Sequence, residues 1–236
     1  MKIVEILFPE LCGLYGDKMN MVYLGKCSKK IKFIETNHKE EPYFVKHKVD
    51  MVYIGPMTEM NQEKFISLLI KYKNRIKDLV NKGIVFFITG NAIELFGKFI
   101  KTENSQIECL NIFDFYSVRD MSDIKNYQYI GKFNNDKVIV HKVQFSSSFG
   151  EFKYPFIVSN NEVGMNQECN IEGIHFKNFF GTYSLGPFLI INPLFTQYLL
   201  KTLGLNDTIA FKDDIVNAYY SRIKKIEDYY KGGKNE

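Results

Sequence analysis

Apolar positions along this chain follow two rhythms. Short runs read as strands: residues 2–8, rich in β-branched side chains and closed by Pro9; 30–35, where Ile31 and Phe33 alternate with charge; and 51–54, closed by Gly55 and Pro56. Residues 84–88 are apolar on both faces, as a central parallel strand must be. Between these runs the spacing becomes helical. Phe65, Leu68, Leu69, Tyr72, Ile76, Leu79 and Val80 mark one face of a helix over 59–82, and Gly83 stands at the left-handed position that ends it. Asp17 sits where an N-cap carboxylate belongs for a short helix over 19–24. At Thr89, Gly90 and Asn91 the chain turns into a helical stretch over 92–99. This order predicts an α/β fold, a three-layer sandwich with a mostly parallel central sheet and helices on both faces.

The second half reads differently. Residues 108–119 are extended, and 127–133 with 137–145 form a hairpin around Asn134, Asn135 and Asp136. Residues 146–150 read as a loop, 164–180 as turn and strand, and 181–187 as a second loop. Helices over 193–203 and 207–230 close the chain, with a frayed tail over 232–236. No linker interrupts this order, so residues 1–236 are expected to form a single domain.

Composition narrows the function. Hydrophobic residues are 45% and charged residues 25%, which excludes a disordered tail protein. The net charge of +4 comes from 31 basic and 27 acidic residues that are interspersed, without the basic stripe of a nucleic-acid binder. No stretch approaches the ~20 apolar residues of a membrane span. The apolar start is broken by Glu5 and closed by Pro9 and Glu10, unlike a signal peptide. Cys12, Cys27, Cys109 and Cys169 show no C-x-x-C spacing. These features predict a cytoplasmic protein with reduced thiols and no nucleic-acid partner, metal or cofactor.

An open parallel sheet carries its site at the carboxyl ends of its strands. The turn over 88–92 has the form of a nucleophile elbow, which lifts a Ser or Cys towards backbone N–H donors. Neither residue is present; Thr89 is the only hydroxyl, and a hydroxyl needs an adjacent base. Histidine is the usual base. His38 and His47 lie in a charged loop expected to face solvent, His141 lies in a strand, and His175 follows Gly173 and Ile174 without a further cue. There is no G-x-x-x-x-G-K-[ST] or G-x-G-x-x-G phosphate motif.

Several strings, in order, resemble a known family. They are Leu14-Tyr15-Gly16-Asp17-Lys18-Met19-Asn20, Tyr53-Ile54-Gly55-Pro56, residues 88–97, Ile112-Phe113-Asp114-Phe115-Tyr116, residues 172–178, Gly181-Thr182-Tyr183-Ser184-Leu185-Gly186-Pro187 and Asn192-Pro193. Together they resemble the class I glutamine amidotransferases of the cobyric-acid-synthase-like group, and within it the glutaminase subunits of lipid II isoglutaminyl synthase. The resemblance implies a flavodoxin-like sandwich. It also implies an elbow Cys that attacks the amide of glutamine, a His as its base, and delivery of ammonia to a Mur-ligase-like partner subunit in peptidoglycan biosynthesis.

Both essential positions differ here. Counted back from Gly97, the nucleophile slot falls on Gly90; in the block over 181–187 the histidine slot falls on Leu185. The Gln that usually follows the elbow is Glu94, and the oxyanion loop reads Gly55-Pro56-Met57, where Pro56 has no N–H to donate. The expected function is therefore that of a degenerate amidotransferase subunit, a pseudoenzyme with no catalytic residue and a partner or regulatory role. One alternative is an active amidotransferase with an unorthodox nucleophile, either Thr89 or a Cys brought in from elsewhere. Another is a small-molecule site in the old pocket, with Gly55, Asn91 and Glu94 as contacts and glutamine as a possible ligand.

Overall fold

The computed structural model describes residues 1–160 and 163–232. Of the tail expected over 232–236, residues 233–236 lie outside this set. Among the described residues, nine strands form one sheet. Its parallel half comprises β1 (Lys2–Leu7), β2 (Ile31–Thr36), β3 (Met51–Ile54), β4 (Val85–Thr89) and a later strand, β13 (Phe179–Thr182). The order is β2-β1-β3-β4-β13, all neighbours parallel. Four further strands extend the sheet antiparallel beyond β13: β12 (Ile171–Phe176), β11 (Pro155–Ser159), β8 (Lys125–Phe133) and β9 (Asp136–Gln144). A smaller sheet orders β10 (Ser146–Gly150), β7 (Phe115–Arg119), β5 (Phe99–Lys101) and β6 (Gln106–Glu108).

The central strand β4 shows why the fold has three layers. All five of its residues are buried. Phe86 and Ile88 join one apolar cluster with Phe65, Leu69, Ile76 and Val80 from helices α3 (Glu59–Leu69) and α4 (Lys73–Asn81). Val85 and Phe87 join another, with Met21 and Leu24 of α1 (Met19–Cys27) and Phe195 and Leu199 of α6 (Pro193–Thr202). A strand covered on both sides needs apolar residues at every position. The long C-terminal helix α7 (Lys212–Gly232) packs Tyr219, Ile223 and Ile226 against Ile139.

Several local expectations are corrected. The helix expected over 59–82 is two helices joined by a tight 3-10 turn, Ile70–Tyr72. Such turns serve as connectors, and this one keeps both apolar faces on the same core while Arg75 donates to the Phe44 carbonyl. Residues 146–150 form β10, paired antiparallel with β7, and the buried Ser148 hydroxyl is satisfied there: it bonds Ser117 Oγ at 2.8 Å and Tyr183 OH at 2.7 Å. The helix expected over 92–99 is a 3-10 helix, Gly90–Phe96, after which the chain turns into β5. At Gly97, where the helix ends, a side chain would stand 2.9 Å from the Phe115 carbonyl oxygen, so only glycine fits beside β7 there. The last helix starts at Lys212 rather than Asp207, whose carboxylate accepts from Ser28 Oγ at 3.0 Å. The short helices α2 (Tyr43–Lys46) and α5 (Phe188–Ile191) carry no sequence signal. α2 is capped from another strand, where Glu5 of β1 accepts from the N–H groups of Tyr43 and Phe44.

Candidate functional site

Strands β3, β4 and β13 are parallel neighbours, so their carboxyl ends open on the same edge of the sheet. Ile54 pairs with Ile88 and Thr182 with Thr89, which brings three loops together: 55–57, the elbow at Gly90, and 183–187. Beneath them Asp17 is completely buried and does not cap α1; no side-chain cap bond is made there. Its carboxylate accepts instead from Thr89 Oγ1 at 2.5 Å, Asn20 Nδ2 at 3.0 Å and the Tyr53 hydroxyl. Burial pushes its pKa up to about 6 against these hydrogen bonds and one from the Gly186 backbone. Asp17 therefore pins the first loop, β3, the elbow and the 183–187 loop to one another.

Gly90 makes the turn of the elbow at φ +63°, which glycine adopts freely and an L side chain does not. A Cβ built on it would lie 2.5 Å from Pro56 Cβ and 3.1 Å from Leu185 Cδ2. The structure thus brings the two sequence-inferred slots into contact, with Pro56 wedged beside them. Leu185 is buried, and its N–H donates to the His141 carbonyl at 2.7 Å. The loop over 55–57 offers no free oxyanion donor. Pro56 has none, the Gly55 N–H is directed at the Cys12 sulfur, and the Met57 N–H donates to Asn91 Oδ1 at 3.0 Å. Asn91 Nδ2 donates back to the Met57 carbonyl at 2.8 Å, so both ends of its amide hold that loop.

Beside the elbow lies a cavity of about 180 Å³, lined by Pro56, Met57, Asn91, Glu94, Leu185 and residues 143–146, with Leu14, Tyr15, Thr58 and Glu59 completing the wall. Gly55 lies below it, against Asp17 and Tyr53. Glu94 is 1% exposed and accepts from Tyr183 OH at 3.1 Å and Gln62 Nε2 at 3.2 Å. Burial raises its pKa to about 7, opposed by the charge of Arg119 and by bonds from Gln62, Ser146 and Tyr183. Arg119 in turn bonds Gln62 and pairs with Glu63 at 3.0 Å. Gln62, Arg119 and Gln144 gave no signal in the sequence. Tyr183 lies inside a recognised string, but its hydroxyl's partners on three other segments could not be read from it.

The raised pKa of Glu94 has a measurable consequence. The folded chain favours the protonated form, so this contribution to stability is complete below the unfolded value near 4.5 and is lost as pH rises through about 7. At 1.36 kcal/mol per pKa unit this amounts to roughly 3 kcal/mol. Thermal melts are expected to fall between pH 5 and pH 8, less steeply in Glu94→Gln. The slope that persists in that variant belongs partly to Asp17, which shifts in the same direction. Identical slopes for the two proteins would refute the assignment.

The remaining candidates do not assemble into a thiol–imidazole pair among the described residues. Burial pushes the Cys12 and Cys109 thiols up to about 12, and Cys12 donates to the carbonyls of Leu7 and Phe8. His175 stacks on Phe180 with ring centroids 4.6 Å apart, and burial lowers its pKa. His47 is exposed, as expected, whereas His38 is half-buried against Glu10. Thr89 is wholly buried with its hydroxyl on Asp17. No cluster of three metal-ligating side chains occurs among the described residues. No helix among them is long and apolar enough to cross a membrane.

The fold is that of the glutamine amidotransferases. A solved glutamine amidotransferase superposes with a TM-score of 0.58 at 14% identity, covering 86% of this chain and 99% of that one. A second, from Thermotoga maritima, gives a TM-score of 0.52 at 10% identity, covering 96% and 94%. In sequence the chain is a relative of proteins named lipid II isoglutaminyl synthase (glutamine-hydrolyzing) subunit GatD. That of Staphylococcus aureus (strain N315) is 27% identical over 205 residues, 85% of this chain and 83% of its own. That of Streptococcus pneumoniae (strain ATCC BAA-255 / R6) is 24% identical over 251 residues, 94% and 92%. No family model matches the chain.

Proposed function

We propose that this chain is a non-hydrolysing counterpart of the lipid II isoglutaminyl synthase glutaminase subunit. It keeps the amidotransferase fold as a single domain in the cytoplasm and serves a Mur-ligase-like partner as a binding or regulatory subunit. The observation that carries the reading is the closed elbow. The place of a nucleophile side chain at Gly90 is taken by Pro56 and Leu185. Acyl transfer from glutamine needs a thiolate or activated hydroxyl, a base beside it, and donors for the oxyanion. At this elbow the nucleophile is a hydrogen atom, the base slot is an alkyl group, and the loop donors are absent or engaged. The partner role rests on the relatives' description as subunits of a synthase.

Glutamate release from glutamine tests this directly. The purified chain, alone and mixed with a Mur-ligase-like subunit from the same source, is expected to release none above the protein-free blank. Turnover that disappears on mutating a residue of the 89–94 turn would overturn the proposal. Co-elution of the two subunits without turnover would support both halves of it.

A further inference from the structure

One stripe of the C-terminal helix carries charge without a counter-charge. Ile215, Ala218, Arg222, Lys225 and Tyr229 follow one another at steps of three and four residues, so they share a face of α7 over about 21 Å. Two cavities open along that stripe. One, of about 110 Å³, is mainly apolar: Ile190 and Ile191 of α5 face Ile215, Ala218 and Tyr219. The other, of about 570 Å³, lies between Lys225 and Tyr229 and the start of β8 over 126–128. Arg222 lines both. Neither lining contains a carboxylate, although α7 has acidic residues elsewhere, at Asp213, Asp214, Glu227 and Asp228. Among the described residues no ion pair or hydrogen bond engages the side chains of Arg222 and Lys225, whereas Lys137 on the facing hairpin pairs with Glu227 at 2.5 Å. The pKa of His141 is lowered by its burial and by the Arg222 charge, which no anion offsets there. The wall is firm, because the Tyr230 hydroxyl donates to the Gln128 carbonyl at 2.7 Å and ties α7 to β8. Exposed cations beside aromatic and aliphatic surface suit a partner that brings carboxylates and an apolar side chain together.

We infer that this stripe is a docking surface for an acidic segment of a partner protein, with one aliphatic side chain seated among Ile190, Ile191 and Ala218 and carboxylates on Arg222 and Lys225. The smaller cavity has room for a single aliphatic side chain. The guanidinium shared by both cavities meets a carboxylate with two parallel N–H groups, immediately beside the seated side chain. At about 3.3 Å per residue, six or seven extended residues span the stripe. Nothing in this surface uses the elbow, so the inference goes beyond the reading of the elbow and holds whether or not glutamine is hydrolysed.

Fluorescence anisotropy on the whole chain tests it, at about 0.1 M salt, where charges are screened over about 10 Å. The probe is a fluorescein-labelled peptide with one leucine between two runs of three glutamates. The same peptide with glutamine for glutamate, and another with alanine for leucine, serve as comparisons. The acidic leucine peptide is expected to bind, the glutamine peptide not to bind, and the alanine peptide to bind about tenfold more weakly. Arg222→Glu is expected to weaken the acidic peptide by about tenfold or more. Lys224→Glu, the same charge change on another face of α7, is expected to leave it within about threefold. Ala218→Leu fills the smaller cavity and is expected to abolish the advantage of leucine over alanine. Circular dichroism establishes that each variant is folded. No binding of the acidic peptide, equal weakening by Arg222→Glu and Lys224→Glu, or a leucine advantage that survives Ala218→Leu would each overturn the proposal. So would tighter, Arg222-dependent binding of an oligothymidylate or of phosphatidylglycerol vesicles.

Discussion

Gly90→Cys by itself is expected to yield a less stable protein that still releases no glutamate from glutamine. The new Cβ would stand 2.5 Å from Pro56 Cβ and 3.1 Å from Leu185 Cδ2. Overpacking of this kind costs about 1–3 kcal/mol, and an L-residue at φ +63° adds roughly 1–2 kcal/mol. Pro56→Gly in the same chain removes the nearest contact. Urea denaturation of the wild type, both single variants and the double variant then measures the coupling. The double variant is expected to be more stable than the sum of the singles predicts, by about 1–2 kcal/mol. Additive effects would sink the account of a plugged elbow. Adding Leu185→His to the double variant places an imidazole beside the thiol. A cysteine so paired ionises more easily, and iodoacetamide at pH 7 is expected to label it faster than the cysteine of Gly90→Cys alone.

Glu172→Ala is expected to cost about 3–5 kcal/mol, the usual penalty for leaving one partner of a buried ion pair unpaired. Against a typical total of about 5–15 kcal/mol this approaches global unfolding. Glu172 and Lys142 are 0% and 1% exposed and lie 2.9 Å apart. The other carboxylate oxygen accepts from Thr182 Oγ1 at 3.0 Å and from the Tyr183 N–H at 2.7 Å, so the pair also holds the end of β13. Replacing both partners by apolar residues, Lys142→Met with Glu172→Leu, removes the uncompensated charge. That double variant is expected to be more stable than Glu172→Ala, by the denaturation midpoint at unchanged slope. A loss below about 1 kcal/mol in Glu172→Ala would contradict the burial argument.

The fold class was legible because its strongest signals are local. β1, β3 and β4 announce themselves by apolar runs closed by Pro or Gly, and α6 by Pro193 at its first turn. Short polar segments were misread for a consistent reason. β10 carries three serines and a glycine and looks like a loop, yet its central Ser148 hydroxyl finds Ser117 and Tyr183 across the fold. Asp17 looks like a cap because caps are local, whereas its real donors come from residues 20, 53 and 89. The helix over 59–82 was read as one because a hydrophobic stripe does not reveal a single tight turn within it.

By itself the sequence determined the order of strands and helices, the resemblance to glutamine amidotransferases, and the absence of sulfur and imidazole from the strings where that chemistry would sit. Each of these is a property of residue types at given spacings along the chain. Only the tertiary structure decided that Pro56, Gly90 and Leu185, far apart in the chain, close on one another. It also decided that Glu94 lies buried on the wall of the cavity beside them. Steric contact and hydrogen-bond satisfaction depend on distance in space, and strand pairing alone brings those segments within a few ångströms.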